Sequence, residues 1–241
     1  MVKESIILAG GFGTRLQSVV SDLPKPMAQV NNQPFLNDQL NYLKKYGVTK
    51  VILSVGYLHD KITAYYKSEF NGLQIDYSIE SEPLGTGGGI RKAIELCSNN
   101  TVLVLNGDSF FDIDLHSFSN HHLTFNADCT LALREVENAS RYGTIELSPG
   151  EGNRGRKIIS FKEKNNIPGN GIINGGVYLL NKNIYLQKTP ADKNFSIEKD
   201  FFETKLQELN IFGCIYNNYF IDIGIPEDYA KAQHDFKGLK Y

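Results

Sequence analysis

Four short apolar runs, each followed by an amphipathic stretch, constrain this chain more than any other feature. Ser5 to Ala9, Lys50 to Val55, Ile75 to Ile79 and Thr101 to Leu105 read as strands, since short apolar runs of this kind suit strands covered on both faces. Between them, Pro34 to Tyr46 puts Phe35, Leu36, Leu40, Leu43 and Tyr46 on one helical face, with Gly47 as the C-cap. Further helices are expected at His59 to Phe70 and Gly88 to Cys97. Strand and helix in repeated alternation predict an α/β fold, with a doubly wound, mostly parallel, Rossmann-like sheet that presents ligands at the carboxyl ends of its strands.

Beyond about residue 125 the texture changes. Runs at Cys129 to Glu135, Tyr142 to Leu147, Lys157 to Lys162, Ile172 to Leu180 and Phe212 to Tyr216 predict a mixed-sheet extension. Helices at Ile197 to Leu206 and Pro226 to Phe236 interrupt it, the second opening on Pro226 with Glu227 and Asp228 at the positive helix end. Pro149 to Arg156, rich in Gly and charge, reads as an exposed hairpin loop. No linker divides the chain, so residues 1–241 are expected to form a single domain of two halves, about 1–125 and about 126–241.

Composition restricts the partners. Lys and Arg total 25 against 27 Asp and Glu, a net charge of -2 that gives no reason to expect nucleic acid or an acidic membrane surface. Any anionic ligand must therefore be held locally. Cys97, Cys129 and Cys214 are too few and too scattered for a disulfide framework, which fits a reducing cytoplasm. The apolar stretch Ile6 to Ala9 is too short for a signal peptide or a membrane span.

The chemistry-bearing motifs lie where strands end. Leu8-Ala9-Gly10-Gly11-Phe12-Gly13-Thr14-Arg15-Leu16 empties a strand into a glycine-rich loop whose backbone N–H groups can wrap phosphates. Leu16 stands where a dinucleotide fingerprint needs its third Gly, and no Gly-Lys-Ser/Thr follows for a P-loop. Pro24 and Pro26 stiffen the backbone around Lys25. The run Glu82 to Gly89 precedes a helix and, taken alone, is equally a Gly-rich N-cap. Asn106-Gly107-Asp108 presents a carboxylate at a strand end, and Asp222 is a second one, flanked by apolar residues where a charge needs a partner.

Together the glycine loop, Arg15 and Pro24-Lys25-Pro26-Met27 resemble the signature of the sugar-1-phosphate nucleotidylyltransferases, and the likeness runs along almost the whole chain. The resemblance implies a Mg²⁺-dependent transfer of a nucleoside monophosphate to a sugar 1-phosphate with release of pyrophosphate. It places the nucleotide in the first half, against Leu8, Ala9, Gly10, Gly11, Gly13, Thr14, Arg15 and Lys25, with Glu82, Pro83, Gly85 and Thr86 around base and ribose and Asn106 and Gly107 beside them. It assigns Asp108 and Asp222 to the metal, and Arg15, Lys25, Asp108, Lys164 and Asp222 to catalysis. Tyr142, Gly143, Glu163, Lys164, Asn174 and Gly175 would frame the sugar phosphate in the second half. The Pro that usually follows Glu-Lys is replaced by Asn165, which leaves the path of that loop open. Within the family, Leu16 to Val20, Ser140 to Thr144, Ile173 to Leu180 and Phe220 to Tyr229 resemble a branch that uses GTP and a heptose 1-phosphate. Branches that use mannose 1-phosphate or N-acetylmuramate 1-phosphate share the generic motifs. A homo-oligomer is left open.

Other residues read as structural. His121-His122 has no Cys or carboxylate at metal spacing and is expected in a solvated loop. Ser196 and Glu198 read as an N-cap arrangement, with sugar contact the lesser alternative. A non-catalytic nucleotide-sugar sensor should have lost an aspartate or Arg15, and neither is lost; an NAD-dependent oxidoreductase is disfavoured by Leu16 and by the lack of an acidic residue closing Lys50 to Val55.

Overall fold

The computed structural model describes residues 2–11, 16, 20, 22–150, 155–162 and 169–238. In chain order the elements are β1 (Glu4–Leu8), β2 (Gln29–Val30), β3 (Gln33–Pro34), α1 (Phe35–Lys45), β4 (Lys50–Val55), α2 (His59–Tyr66), β5 (Glu69–Phe70), β6 (Leu73–Ile79) and α3 (Gly85–Ala93). There follow β7 (Thr101–Asn106), β8 (Ser109–Phe111), α4 (Leu115–Thr124), β9 (Cys129–Val136), β10 (Thr144–Leu147), β11 (Arg156–Lys162), β12 (Gly171–Asn181) and α5 (Lys182–Lys188). A π-helical segment (Ile197–Glu203), β13 (Ile211–Ile215), β14 (Phe220–Asp222) and α6 (Pro226–Asp235) complete the chain.

Ten strands form one sheet in the order β10-β11-β13-β9-β12-β7-β1-β4-β6-β5. The apolar runs alternate sides as strands must. Ile7, Leu53 and Leu105 enter a core with α1, α2, α4 and α6, while Ile6, Ile52 and Val104 enter a second core with α3, α5 and the π-helical segment. Both faces are thus covered, which is why the strands read as continuous apolar runs.

The sheet is less parallel than the sequence led us to expect. Parallel pairing is confined to the block β6-β4-β1-β7 and to β9 with β13. β12 runs antiparallel to both β7 and β9, and β10 and β11 form an antiparallel hairpin. Only the β10–β11 pair has a local cause, a short connection without a crossover helix; β12 takes its place between β7 and β9 through long-range pairing. β12, paired to β7 on one side and β9 on the other, makes the two halves one sheet.

Three further expectations shift. The second helix stops at Tyr66 because the chain turns through Lys67, at φ 50°, into β5, which pairs back on β6. His121 and His122 lie on α4, not in a loop; Asp114 caps that helix, its Oδ1 accepting from the backbone N–H of His116 at 2.9 Å, and His122 is buried with Nδ1 2.8 Å from Thr130 Oγ1. α3 begins at Gly85, so most of the glycine run sits within a helix. Gly87 has to be glycine there, since a Cβ would overlap the Phe195 ring where α3 packs on the segment leading into the π-helix. No described helix is long and apolar enough to cross a membrane.

Candidate active site

The chain runs outward from β1 to β4 and β6, then returns to place β7 on the other side of β1. A crevice at the carboxyl ends of β1 and β7 follows from this reversal, and ligands of doubly wound sheets bind at such a point. Leu8, Ala9, Gly10 and Gly11 leave β1 on one side of it and Asn106, Gly107 and Asp108 leave β7 on the other. Backbone holds them in place: Gly107 N donates to Leu8 O (2.9 Å) and joins the two turns, while Ala9 N donates to Ser54 O of β4 (2.7 Å). A Cβ on Gly107 would overlap Leu8 O, so only glycine permits this approach. Gln39 on α1, wholly buried, fixes the β7 turn by donating to Asn106 O (2.8 Å) and Ser109 O (2.7 Å).

Lys25 occupies a short 3₁₀ turn with Pro26 and Met27. The two prolines aim its side chain into the crevice, where Nζ lies 2.8 Å from Asp108 Oδ2. This contact is between two residues picked out separately in the sequence. The second aspartate arrives by strand pairing: β14 runs antiparallel to β8 with Asp222 opposite Ser109, and Ile223 N donates to Asp108 O at 2.9 Å. Asp222 Oδ1 accepts from Gly224 N (2.7 Å). Residues far apart in sequence thereby bring two carboxylates to one end of the sheet, and among the described residues no third Cys, His, Asp or Glu joins them in a metal-sized group.

Two cavities flank this centre. One, of about 480 Å³, lies at the ends of β1, β4 and β6, lined by Gly10, Gly56, Tyr57, His59, Ile79, Glu80, Ser81, Glu82 and Pro83. Glu82 and Pro83 were expected here; Glu80 was not. It is held by Ser54 Oγ, which donates to Oε1 (3.0 Å), and by Leu84 N, which donates to Oε2 (3.0 Å). Its place directly after the run Ile75 to Ile79 was a strand-end signal of the same kind as Asp108. Gly85 and Thr86 form the first turn of α3, where Thr86 Oγ1 accepts from Ile197 N (3.0 Å) and so ties the two halves together.

The other cavity, of about 350 Å³, is lined by Arg141, Tyr142, Gly143, Thr144, Ile145, Phe161, Lys162, Asn174, Glu198, Lys199 and Glu203. Tyr142, Gly143 and Asn174 are where the sequence placed the sugar side. Asn174 sits at an irregularity in the β12–β9 pairing, and its Nδ2 donates to Tyr178 Oη (2.7 Å) and to Glu198. Glu198 is therefore more than part of an N-cap: Ser196 Oγ caps the π-helical segment, and that turn presents Glu198 to the cavity. Gly175 packs on the Phe111 ring and does not line this cavity. Tyr178, almost wholly buried, also bonds to Asn106, and burial pushes its phenol well above the ordinary value, so it stays neutral as a bridge between Asn174 on β12 and Asn106 at the β7 turn. Arg141 closes the rim, paired with Asp228 at 2.9 Å.

Gly13, Thr14, Arg15, Glu163 and Lys164 lie outside the described residues. The three cysteines are buried, and burial pushes the Cys97 and Cys214 thiols up to about 12, so they are protonated packing groups.

A doubly wound block with a glycine turn, a lysine–aspartate pair and a second aspartate at its switch point defines a nucleotide-handling transferase. The chain belongs to the Nucleotidyl transferase family, whose description matches residues 4–237. It is 47% identical over 234 residues to D-glycero-alpha-D-manno-heptose 1-phosphate guanylyltransferase of Aneurinibacillus thermoaerophilus, an alignment that covers 97% of this chain and 98% of that protein. The protein of the same description from Campylobacter jejuni is 46% identical over 226 residues, covering 94% of this chain and 96% of its own length. The crystal structure of HddC from Yersinia pseudotuberculosis complexed with GMP-PN superposes with a TM-score of 0.84 at 38% identity, covering 98% of this chain and 100% of that one.

Proposed function

We propose that this protein transfers GMP from GTP to D-glycero-α-D-manno-heptose 1-phosphate, giving GDP-D-glycero-α-D-manno-heptose and pyrophosphate. Two cavities on either side of a lysine–aspartate pair carry the proposal, because a transfer between two bound substrates needs two seats and one charged centre between them. Near-complete alignment to two heptose 1-phosphate guanylyltransferases supplies the substrates.

Nucleotidyl transfer asks the protein mainly for alignment and charge neutralisation. The sugar-phosphate oxygen attacks the α-phosphorus in line, and the bond to pyrophosphate breaks. Gly10, Gly11 and the glycine loop that follows hold the triphosphate by backbone N–H groups, Arg15 stabilises the departing pyrophosphate, and Lys25 sits beside the phosphates as a compact charge. Asn174 and Glu198 hold sugar hydroxyls, with Tyr142 and Gly143 forming the wall, while Glu163 adds a further hydroxyl contact and Lys164 orients the attacking phosphate. Asp108 and Asp222 fit Mg²⁺, since two hard carboxylate donors alongside phosphate oxygens are what that ion takes. When bound there, Mg²⁺ supplies positive charge to the reacting phosphates. The two halves divide the work as nucleotide-binding and sugar-binding parts of one domain. Incubating the protein with GTP, D-glycero-α-D-manno-heptose 1-phosphate and Mg²⁺ and identifying the products by mass spectrometry is the direct test: GDP-heptose with one pyrophosphate per turnover is expected, and hydrolysis of GTP without a sugar nucleotide contradicts it.

A further inference from the structure

The π-helical segment Ile197–Glu203 puts two acids on the second cavity, Glu198 and Glu203. A π-helix closes its hydrogen bonds between residues i and i+5, so residues five apart stand nearly one above the other. In an α-helix, at 3.6 residues per turn, the same pair would diverge by roughly 140° around the axis. Two buried rings lock the turn from behind: Phe201 packs on Tyr185 with centroids 4.7 Å apart, and Phe202 stacks on Phe161 and leans on Tyr178. The wall that carries both acids is therefore preorganised.

The acids serve different ends of the cavity. Glu198 accepts from Asn174 of β12, and β12 pairs with β7, whose turn carries Asp108. Glu203 follows Phe202, whose partner Phe161 belongs to β11, a strand that reaches β12 only across β10 on this side. Glu198 thus stands toward the Lys25–Asp108 centre and Glu203 away from it. Among the described residues no hydrogen bond or ion pair engages Glu203, so its carboxylate keeps its full acceptor capacity.

A sugar 1-phosphate enters such a cavity in one sense. Its anionic phosphate belongs at the cationic centre, and the far side of the ring, with the exocyclic chain, extends along the π-helical wall. That chain is where D-glycero-α-D-manno-heptose 1-phosphate differs from mannose 1-phosphate. It is longer by one hydroxymethyl group, which brings one more O–H donor.

We propose that Glu203 selects the heptose over the hexose, its carboxylate accepting from the terminal hydroxyl of the exocyclic chain. This rests on the heptose reading of the site and names the residue that enforces it. Glu198 meets ring hydroxyls that the two sugars share.

The test compares kcat/KM for heptose 1-phosphate and mannose 1-phosphate, both with GTP, in the wild type, Glu203→Ala and Glu198→Gln. The wild type is expected to favour the heptose phosphate by roughly tenfold, as for one hydroxyl read by a charged acceptor, and Glu203→Ala to bring that ratio to about one. Glu198→Gln is expected to lower both values and keep the ratio. A purely structural Glu203 lowers both values alike, and a heptose preference that survives in Glu203→Ala overturns the proposal. So does a ratio that collapses in Glu198→Gln instead, and so does equal use of the two sugars by the wild type. A wild type that prefers mannose 1-phosphate refutes the heptose reading itself, a different outcome from a heptose-preferring enzyme whose ratio ignores position 203.

Discussion

In the parallel block, β6, β4, β1 and β7 end together, and what they deliver is mostly backbone: the turns after Leu8 and Asn106, with Lys25 and Asp108 as the charged pair. In the antiparallel block the second cavity is built from side chains out of three distant stretches, Arg141 to Ile145, Asn174 and Glu198 to Glu203. Backbone donors suit phosphates, which every nucleoside triphosphate shares. Side chains suit the placement of individual hydroxyls, which differ from sugar to sugar. Contiguous glycine-rich motifs thus supply the backbone donors, and the second cavity is assembled from side chains by tertiary packing.

The largest expected effect breaks the centre between the blocks. Asp108→Asn and Asp222→Asn should each lower turnover by at least ~100-fold with the fold retained, because charge stabilisation at the reacting phosphates is worth ~3 kcal/mol or more. Pyrophosphate release measured beside circular dichroism checks this, and near-normal Mg²⁺-dependent turnover in both variants removes the aspartates from the centre.

The seam comes next. Gly87→Ala forces a methyl into the Phe195 ring where α3 meets the approach to the π-helical segment, and should cost roughly 1–3 kcal/mol of stability. Thermal unfolding reports it; an unchanged midpoint means the two blocks are less tightly joined than the packing implies.

On the sugar side alone, Glu198→Gln should raise KM for heptose 1-phosphate by roughly tenfold and leave KM for GTP within twofold, since one charge-assisted bond to a hydroxyl is weakened. Steady-state kinetics with each substrate varied separately gives the answer, and a matching rise for GTP dissolves the division of labour.

The smallest effects are in pH dependence, where two buried groups, Asp38 and His122, have opposite signs. Burial pushes the Asp38 carboxyl on α1 up to about 6, with a bond from Gln33 opposing. Its protonated form is favoured in the fold, so its contribution is fully present below the unfolded value of 3.8 and is lost as pH rises through 6. Burial pulls His122, bonded to Thr130 in β9, down to about 4; its neutral form is favoured, so stability is lost as pH falls from 6.5 through 4. The opposing slopes partly cancel between pH 4 and 6. Asp38→Asn should expose the histidine slope and His122→Asn the aspartate slope, each on the order of 1–2 kcal/mol across that window in urea titrations. Parallel curves for both variants contradict the assignment.

How much of this was legible in the sequence follows from the same contrast. The four parallel strands, α1 and the two aspartates could be read because each is signalled by residues close in sequence. Glu80 was passed over although it too closes a strand, since nothing local says that Ser54 and Leu84 hold it. Glu198 looked like part of a cap because its partner, Asn174, comes from another strand. Antiparallel pairing of β12 between β7 and β9 has no local signature, and the helix expected from Gly88 starts three residues earlier, at Gly85, because the purpose of Gly85 and Gly87, room for Phe195, is a tertiary one. Asp114, the N-cap of α4, is by contrast a local signal for a helix that carries His121 and His122.

The most direct test of the whole account is a matrix of kcat/KM values for GTP, UTP, ATP and dTTP against D-glycero-α-D-manno-heptose 1-phosphate and mannose 1-phosphate, followed by pyrophosphate release. The account predicts that GTP with the heptose phosphate is the preferred pair, with mannose 1-phosphate slower by roughly 10-fold or more if a polar side chain of the second cavity reads the added hydroxyl. A preference for mannose 1-phosphate, or for UTP over GTP, contradicts it.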